Sequence, residues 1–229
     1  MRKGFAVSLL MVLALVSQGA FAATRSGLVT MDFDLTAQDA GKEVRLWIPY
    51  PVSDGDQLIK DIKVSGDYSE SAVYTDRENQ TPILFARWDA AAKSRKMTLS
   101  FQAERLEVVR RDFPARESCW DQLAFKPYLS ATRLGPIDGE VKKLALQITR
   151  GKKTVLAKAK AIYDWTCSNM VRDPNTRGCG TGDVCALLQK PGGKCTDISS
   201  VTIALCRAAG VPAREIFGLR LGKKPEEDI

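Results

Sequence analysis

The sequence predicts an α+β chain, in which an antiparallel β-rich N-terminal half, most simply a small β-sandwich, is followed by a helical half. Three observations carry this. Apolar residues alternate with polar ones from Gly27 to about Val109, and they recur at helical spacing from Asp138 onward. Between the two regimes lies a stretch without clear periodicity, punctuated by Pro114, Pro127 and Pro136.

The first 22 residues stand apart from both halves. Arg2 and Lys3 give a positive start, Phe5 to Val16 is apolar apart from Ser8, and Ala20-Phe21-Ala22 offers a small-x-small cleavage site before Ala23. This is the pattern of a secretory signal peptide. The apolar run is short for a bilayer span, and no later stretch reaches the roughly 18 apolar residues that a membrane helix needs. Residues 1–22 are therefore expected to be a cleaved leader. The mature protein is then periplasmic or secreted, with no stable membrane span.

The β-rich segment is placed at residues 23–111. Val29, Met31, Phe33 and Leu35 alternate with Thr30, Asp32 and Asp34, and Val44, Leu46 and Ile48 with Arg45 and Trp47. Met97, Leu99, Phe101 and Ala103 alternate with Thr98, Ser100 and Gln102. Such alternation, broken by turns like Ser53-Asp54-Gly55-Asp56, indicates antiparallel strands with one wet face. Residues 112–137 form a bridge whose Trp120, Phe125 and Tyr128 are expected to pack between the halves.

In residues 138–229 the period is 3.6. Glu140 to Thr149 predicts a short amphipathic helix ended by Arg150-Gly151. Lys152 to Met170 predicts a second, with Val155, Ala159, Ile162 and Thr166 on one stripe and Leu156, Tyr163, Cys167 and Met170 beside it. Arg172-Asp173-Pro174 stops it, and a glycine-rich loop follows from Arg177 to Asp183. A third helix is expected from Cys195 to Ala209, ended by Gly210 and Pro212. Arg214 to Leu221 reads as a strand with Phe217, Leu219 and Leu221 on one face.

Formal charge is +7, and two of those charges leave with the leader. The excess is scattered in pairs such as Arg110-Arg111 and Lys142-Lys143, with no basic block interleaved with aromatics, so nucleic acid is excluded as a partner. Six cysteines remain after processing: Cys119, Cys167, Cys179, Cys185, Cys195 and Cys206. If one stays a thiol for chemistry, the other five are odd in number, so not all of them pair within the chain. Cys206 and Cys167 sit in helix interiors and are expected in the core. Cys179 and Cys185, across the glycine loop, could bridge or stay free, and export tips this toward the bridge. A zinc site from Cys179, Cys185 and Cys195 lacks both CxxC spacing and histidine.

Cys195 is the candidate catalytic residue. Gly192-Gly193-Lys194 permits a tight approach, and Cys195 then falls on the first turn of a helix. Free N–H groups and the positive end of the helix dipole favour thiolate there, and the same amides could hold an oxyanion. Asp197, in the same turn, suits the dipole. Trp165 and Asp183 are read as a packing residue and a turn-former. A cysteine nucleophile usually needs a histidine to take its proton, and this sequence contains none.

Trp165, Asn169-Met170, Arg172-Asp173-Pro174, Gly178 to Asp183, and above all Gly193-Lys194-Cys195-Thr196-Asp197-Ile198-Ser199-Ser200 running into Arg207 to Arg214, resemble the transglutaminase-like domains of exported bacterial proteins. The resemblance covers about Asp138 to Leu221. It implies a papain-like arrangement: the cysteine heads a helix packed on a sheet, whose later strands carry a histidine and then an aspartate. It also implies thioester chemistry on amide or peptide bonds, as a protease, amidase or transamidase, with no cofactor or metal. The expected partner is a protein or peptide substrate, including cell-envelope material. Since the histidine and aspartate come later in the family, residues 138–229 are expected to be an incomplete domain and the 229 residues alone to be inactive. The alternative is a non-catalytic binding or scaffold module that has kept the fold.

Overall fold

A computed structural model describes residues 23–38, 41–77, 80–114, 116–219 and 221. The expected leader and the polar segment from Lys223 to Asp228 lie outside these residues. Two units are distinguished. Among the described residues, one takes in those up to 72 together with 84–109, and the other 73–83 and those from 110 to 221.

Six strands make up the β-rich part: β1 (Thr24–Asp34), β2 (Val44–Pro49), β3 (Gln57–Gly66), β4 (Glu70–Thr75), β5 (Pro82–Trp88) and β6 (Lys96–Leu106). They form two three-stranded sheets, ordered β1-β6-β3 and β2-β5-β4. β1 pairs antiparallel with β6 without a slip, from Thr24 opposite Leu106 to Asp34 opposite Lys96. Because side chains alternate along a strand, this register puts Val29, Met97, Leu99, Phe101 and Ala103 inside.

β3 and β5 were not individually legible, for opposite reasons. β3 shifts register between Lys60 and Lys63, and Asp61 there takes φ 52°, so its apolar residues fall out of step. β5 buries Leu84, Phe85, Ala86 and Trp88 in near succession, which erases alternation. The fully buried Trp88 keeps its indole N–H satisfied on Asp67 Oδ1 at 2.8 Å.

The other unit holds α1 (Gly139–Ile148), α2 (Val155–Asn169), α3 (Val184–Gln189) and α4 (Cys195–Ala208). α4 packs against each of the other three. Val141, Ala145, Ile162, Val184, Val201 and Leu205 form the centre of this core. Thr154 caps α2, its hydroxyl accepting from Ala157 N at 3.1 Å. At the far end of α4, Gly210 adopts φ 78°, its N–H reaches Arg207 O at 3.0 Å, and Val211 N–H reaches Cys206 O at 2.8 Å. That is a complete Schellman ending, and the left-handed residue is the glycine on which the sequence ended this helix.

No period marks α3 in the sequence, because one and a half turns are too short to show one. Three expectations need correcting. Residues 214–219 and 221 carry no strand, since among the described residues no neighbouring chain hydrogen-bonds with them as a strand. On α2 only one stripe is buried: Ile162 and Thr166 are inside, whereas Leu156, Tyr163 and Cys167 are exposed. α2 packs on α1 and α4 through a single face, so its second apolar stripe faces out. The third concerns Cys179 and Cys185, which are both free thiols.

Trp120 and Phe125 stack edge-on at 5.6 Å between ring centroids, and Phe125 lies 6.4 Å from Tyr128. The bridge aromatics thus hold one another, with Tyr128 closing a short 3₁₀ turn, Lys126–Tyr128. Among the described residues no helix is long and apolar enough to cross a membrane.

Candidate active site

Cys195 occupies the first helical position of α4, after Lys194 in extended conformation at the N-cap. The turn before it is strapped to the chain that leaves α2. Gly193 N–H donates to Val171 O at 3.0 Å, and Gly193 O accepts from Asp173 N at 2.9 Å. The Arg172-Asp173-Pro174 segment that ends α2 is therefore also the strap that aims the start of α4.

Asp197 organises this corner. It is 3% exposed, and its carboxylate accepts three backbone N–H groups. Oδ1 takes Thr181 N and Gly182 N, both at 2.9 Å, and Oδ2 takes Lys194 N at 3.1 Å. The last is half of a capping box; lysine has no acceptor to supply the other half. One buried carboxylate thereby joins the glycine loop to the helix start. Such a charge is tolerable only because it is fully hydrogen-bonded and lies at the positive end of the helix.

The same carboxylate explains two glycines. A Cβ on Gly180, which has φ 100°, or on Gly193 would run into the Asp197 side chain. The helix dipole accounts for a carboxylate at Asp197, but its role as a clamp is not evident from the first turn alone. The signal that could have found it is the cluster Gly180, Gly182 and Gly193 around a first-turn acid.

Held this way, the glycine loop places Cys179 beside Cys195. Cys179 O accepts from Thr196 N at 3.1 Å. A hydrogen bond to the Cys195 thiol, with the charge Cys195 can carry, pushes the Cys179 thiol pKa up, while Lys194 opposes the shift. Cys185, in contrast, lies in α3 and lines a different groove with Val141, Leu144 and Gln147 of α1. That separate facing is the physical reason the expected Cys179–Cys185 bridge is absent. Among the described residues no three His, Cys, Asp or Glu side chains group as metal ligands would.

Cys195 opens on a cavity of about 310 Å³. Thr196, Ser199 and Ile203 of α4 form one wall, and Arg214 to Gly218 form the other. The second wall is tethered at two points. Ser200 Oγ donates to Glu215 Oε1 at 2.8 Å, and the Arg214 guanidinium lies 5.7 Å from the centroid of the Tyr128 ring. Sequence reasoning left Arg214 unassigned, and the structure places it on this wall. Of the amides at the helix start, Lys194 N is committed to Asp197 and Thr196 N to Cys179 O. The Cys195 N–H, next to the thiol, has no such bond among the described residues.

The other expected residues take background roles. Trp165 packs against the helical core. Asp183 caps α3 through Ala186 N at 3.2 Å. Cys206 is buried, and desolvation pushes its thiol up to about 11.

Residues 142–227 match the family model of the transglutaminase-like superfamily. An uncharacterized protein of Haemophilus influenzae is 35% identical over 84% of this chain, which spans 55% of that relative's length. In fold, the chain is similar to the crystal structure of a proposed cysteine protease from Cytophaga hutchinsonii, with a TM-score of 0.59 at 16% identity. That likeness covers 83% of this chain and 67% of the other. The matched stretch runs from within α1 through α4 to the cavity wall, so this part of the chain is similar to the transglutaminase-like superfamily.

Proposed function

We propose that Cys195 is the nucleophile of an exported cysteine enzyme acting on amide or peptide bonds, as protease, amidase or transamidase. The observation that carries this is the position of its thiol, at the head of α4 and open to a cavity of about 310 Å³. The Cys195 thiolate attacks the carbonyl carbon, the C–N bond breaks as the amine leaves with a proton, and a thioester remains until water or a second amine takes the acyl group. The Cys195 N–H is the amide placed to stabilise the oxyanion.

The proton acceptor must be a group this chain does not supply as histidine, because it has none. In this reading α1 to α4 are the first part of a papain-like core, and a histidine and an aspartate are supplied from outside these 229 residues. The 1–22 pattern supports export. Protein, peptide or cell-envelope amides are the substrate class.

Sequencing the coding DNA past codon 229 tests the supply of the base. The expected result is a histidine followed by an aspartate, each within a predicted strand. Casein hydrolysis, and incorporation of a fluorescent primary amine into casein, then test the chemistry in the protein that carries that pair. One of these activities should fall by about a thousandfold or more in Cys195→Ala. Unchanged activity in that variant would overturn the assignment. The absence of histidine also supports the second reading, a non-catalytic binding module, which a continuation lacking the pair would favour.

A further inference from the structure

The thiol beside Cys195 has no part in the chemistry just described, yet the fold takes care to hold it there. Cys179 is exposed, as is Cys195. Its carbonyl is bound by the N–H of Thr196, the residue after Cys195, at 3.1 Å. The loop that follows it is fixed by Thr181 N and Gly182 N on the buried Asp197 carboxylate, both at 2.9 Å. The Cys195 side chain next to it, through hydrogen bonding and charge, pushes the Cys179 thiol pKa up. Cys185, the sequence neighbour with which Cys179 was expected to pair, lines the groove against α1 instead.

We propose that Cys179 and Cys195 form a reversible disulfide, made by exchange with a disulfide donor, that caps the Cys195 thiol. That this cap would silence the protein rests on the reading of Cys195 as nucleophile. A disulfide needs its two sulfurs about 2.05 Å apart across closely spaced Cα atoms. Here the main chain is already pinned on both sides of the pair, so closing the bond calls on two exposed side chains to turn toward each other.

Two exchange steps suffice. The Cys195 thiolate attacks one sulfur of the donor, whose S–S bond breaks and releases one donor thiolate, leaving a mixed disulfide on Cys195. Cys179 then gives its proton to solvent and attacks Cys195 Sγ, forming the Cys179–Cys195 bond and expelling the second donor thiolate. Two protein thiols are oxidised, one donor disulfide is reduced to two thiols, and a reducing dithiol reverses both steps. Capping by a neighbouring thiol also shields Cys195 from the irreversible sulfinic and sulfonic acids.

Oxidised glutathione is the probe. The reduced protein is equilibrated across ratios of oxidised to reduced glutathione, remaining thiols are trapped with N-ethylmaleimide at acid pH, and unreduced peptides are mapped by mass spectrometry. The expected product is a peptide joining Cys179 to Cys195, more abundant than the glutathione adduct on Cys195 by about tenfold or more. It should persist in Cys185→Ser, and in Cys179→Ser it should be replaced by the stable glutathione adduct.

A persistent adduct on Cys195 with Cys179 free in the unaltered protein, a Cys179–Cys185 bridge, or no bridge at any ratio would each overturn the proposal. The unaltered protein and Cys185→Ser decide the matter even if Cys179→Ser does not fold. The map reads the bond without reference to turnover. A protein carrying the histidine and aspartate that forms the bridge yet stays inactive once reduced would therefore count against the enzyme reading, and one that is active when reduced but never forms the bridge against the disulfide.

Discussion

At the first position of α4, Cys195 is exposed on a cavity and flanked by a second thiol. About three turns later on the same helix, Cys206 is buried and its thiol is pushed up to about 11 by desolvation. The helix start is built from glycines, a buried carboxylate and the open Cys195 amide. The helix end is built from packed apolar side chains and a closed Schellman turn, in which the last carbonyls are satisfied. The contrast shows that one residue type on one helix is left open or sealed according to what the ends of that helix expose.

The heaviest blow to this contrast is Asp197→Ala. Three backbone N–H groups would lose their acceptor in a buried corner, so unfolding free energy should fall by about 3 kcal/mol or more in a urea titration. Asp197→Asn, which keeps one acceptor oxygen, should lose less. A change under about 1 kcal/mol for the alanine variant would mean that the clamp does not hold the loop to the helix.

Gly193→Ala should cost about 2 kcal/mol, because its Cβ meets the Asp197 side chain directly. Gly192→Ala is the internal control. Its Cβ would meet only Val171 O at 3.6 Å, an ordinary contact, and should cost well under about 1 kcal/mol. Equal costs at the two positions would show that backbone freedom, rather than the carboxylate, calls for the glycines.

At the other end, Cys206 makes stability fall in alkali. Burial raises its folded pKa, so the stabilisation is complete below the ordinary value of 9.0 and lost as pH rises through about 11. Urea titrations at pH 8 and pH 10.5 should therefore diverge by up to about 2 kcal/mol more in the unaltered protein than in Cys206→Ala. A difference of the same size in both proteins would place the alkaline sensitivity elsewhere.

The smallest stability effect is expected at Cys195→Ala, within about 0.5 kcal/mol, because an exposed side chain loses little packing. Iodoacetamide should nevertheless label Cys195 in the folded protein at pH 8 and leave Cys206 untouched until the protein unfolds. Equal labelling of both would erase the distinction between the two ends.

α1, α2 and α4 were legible to within three residues at each boundary, because amphipathic period, caps and stop signals are local. Gly210 as the end of α4 needed only its own freedom to take a positive φ. Strand β5 was hidden because burying consecutive residues removes the alternation that marks a strand. Cys167 was misplaced because a periodic apolar stripe does not say whether a neighbour arrives to cover it.

By itself the sequence determined the order of β-rich and helical regions, the helix start at Cys195, the resemblance of the helical part to the transglutaminase-like superfamily and the absence of any histidine. Each of these follows from residues that are near neighbours in the chain. Only the tertiary structure decided that Asp197 ties Thr181 and Gly182 to Lys194, that Cys179 rather than Cys185 stands beside Cys195, and that Arg214 to Gly218 wall the cavity. Each of those depends on where a loop is returned in space. That is set by packing and hydrogen bonds between residues distant in sequence, which no local period encodes.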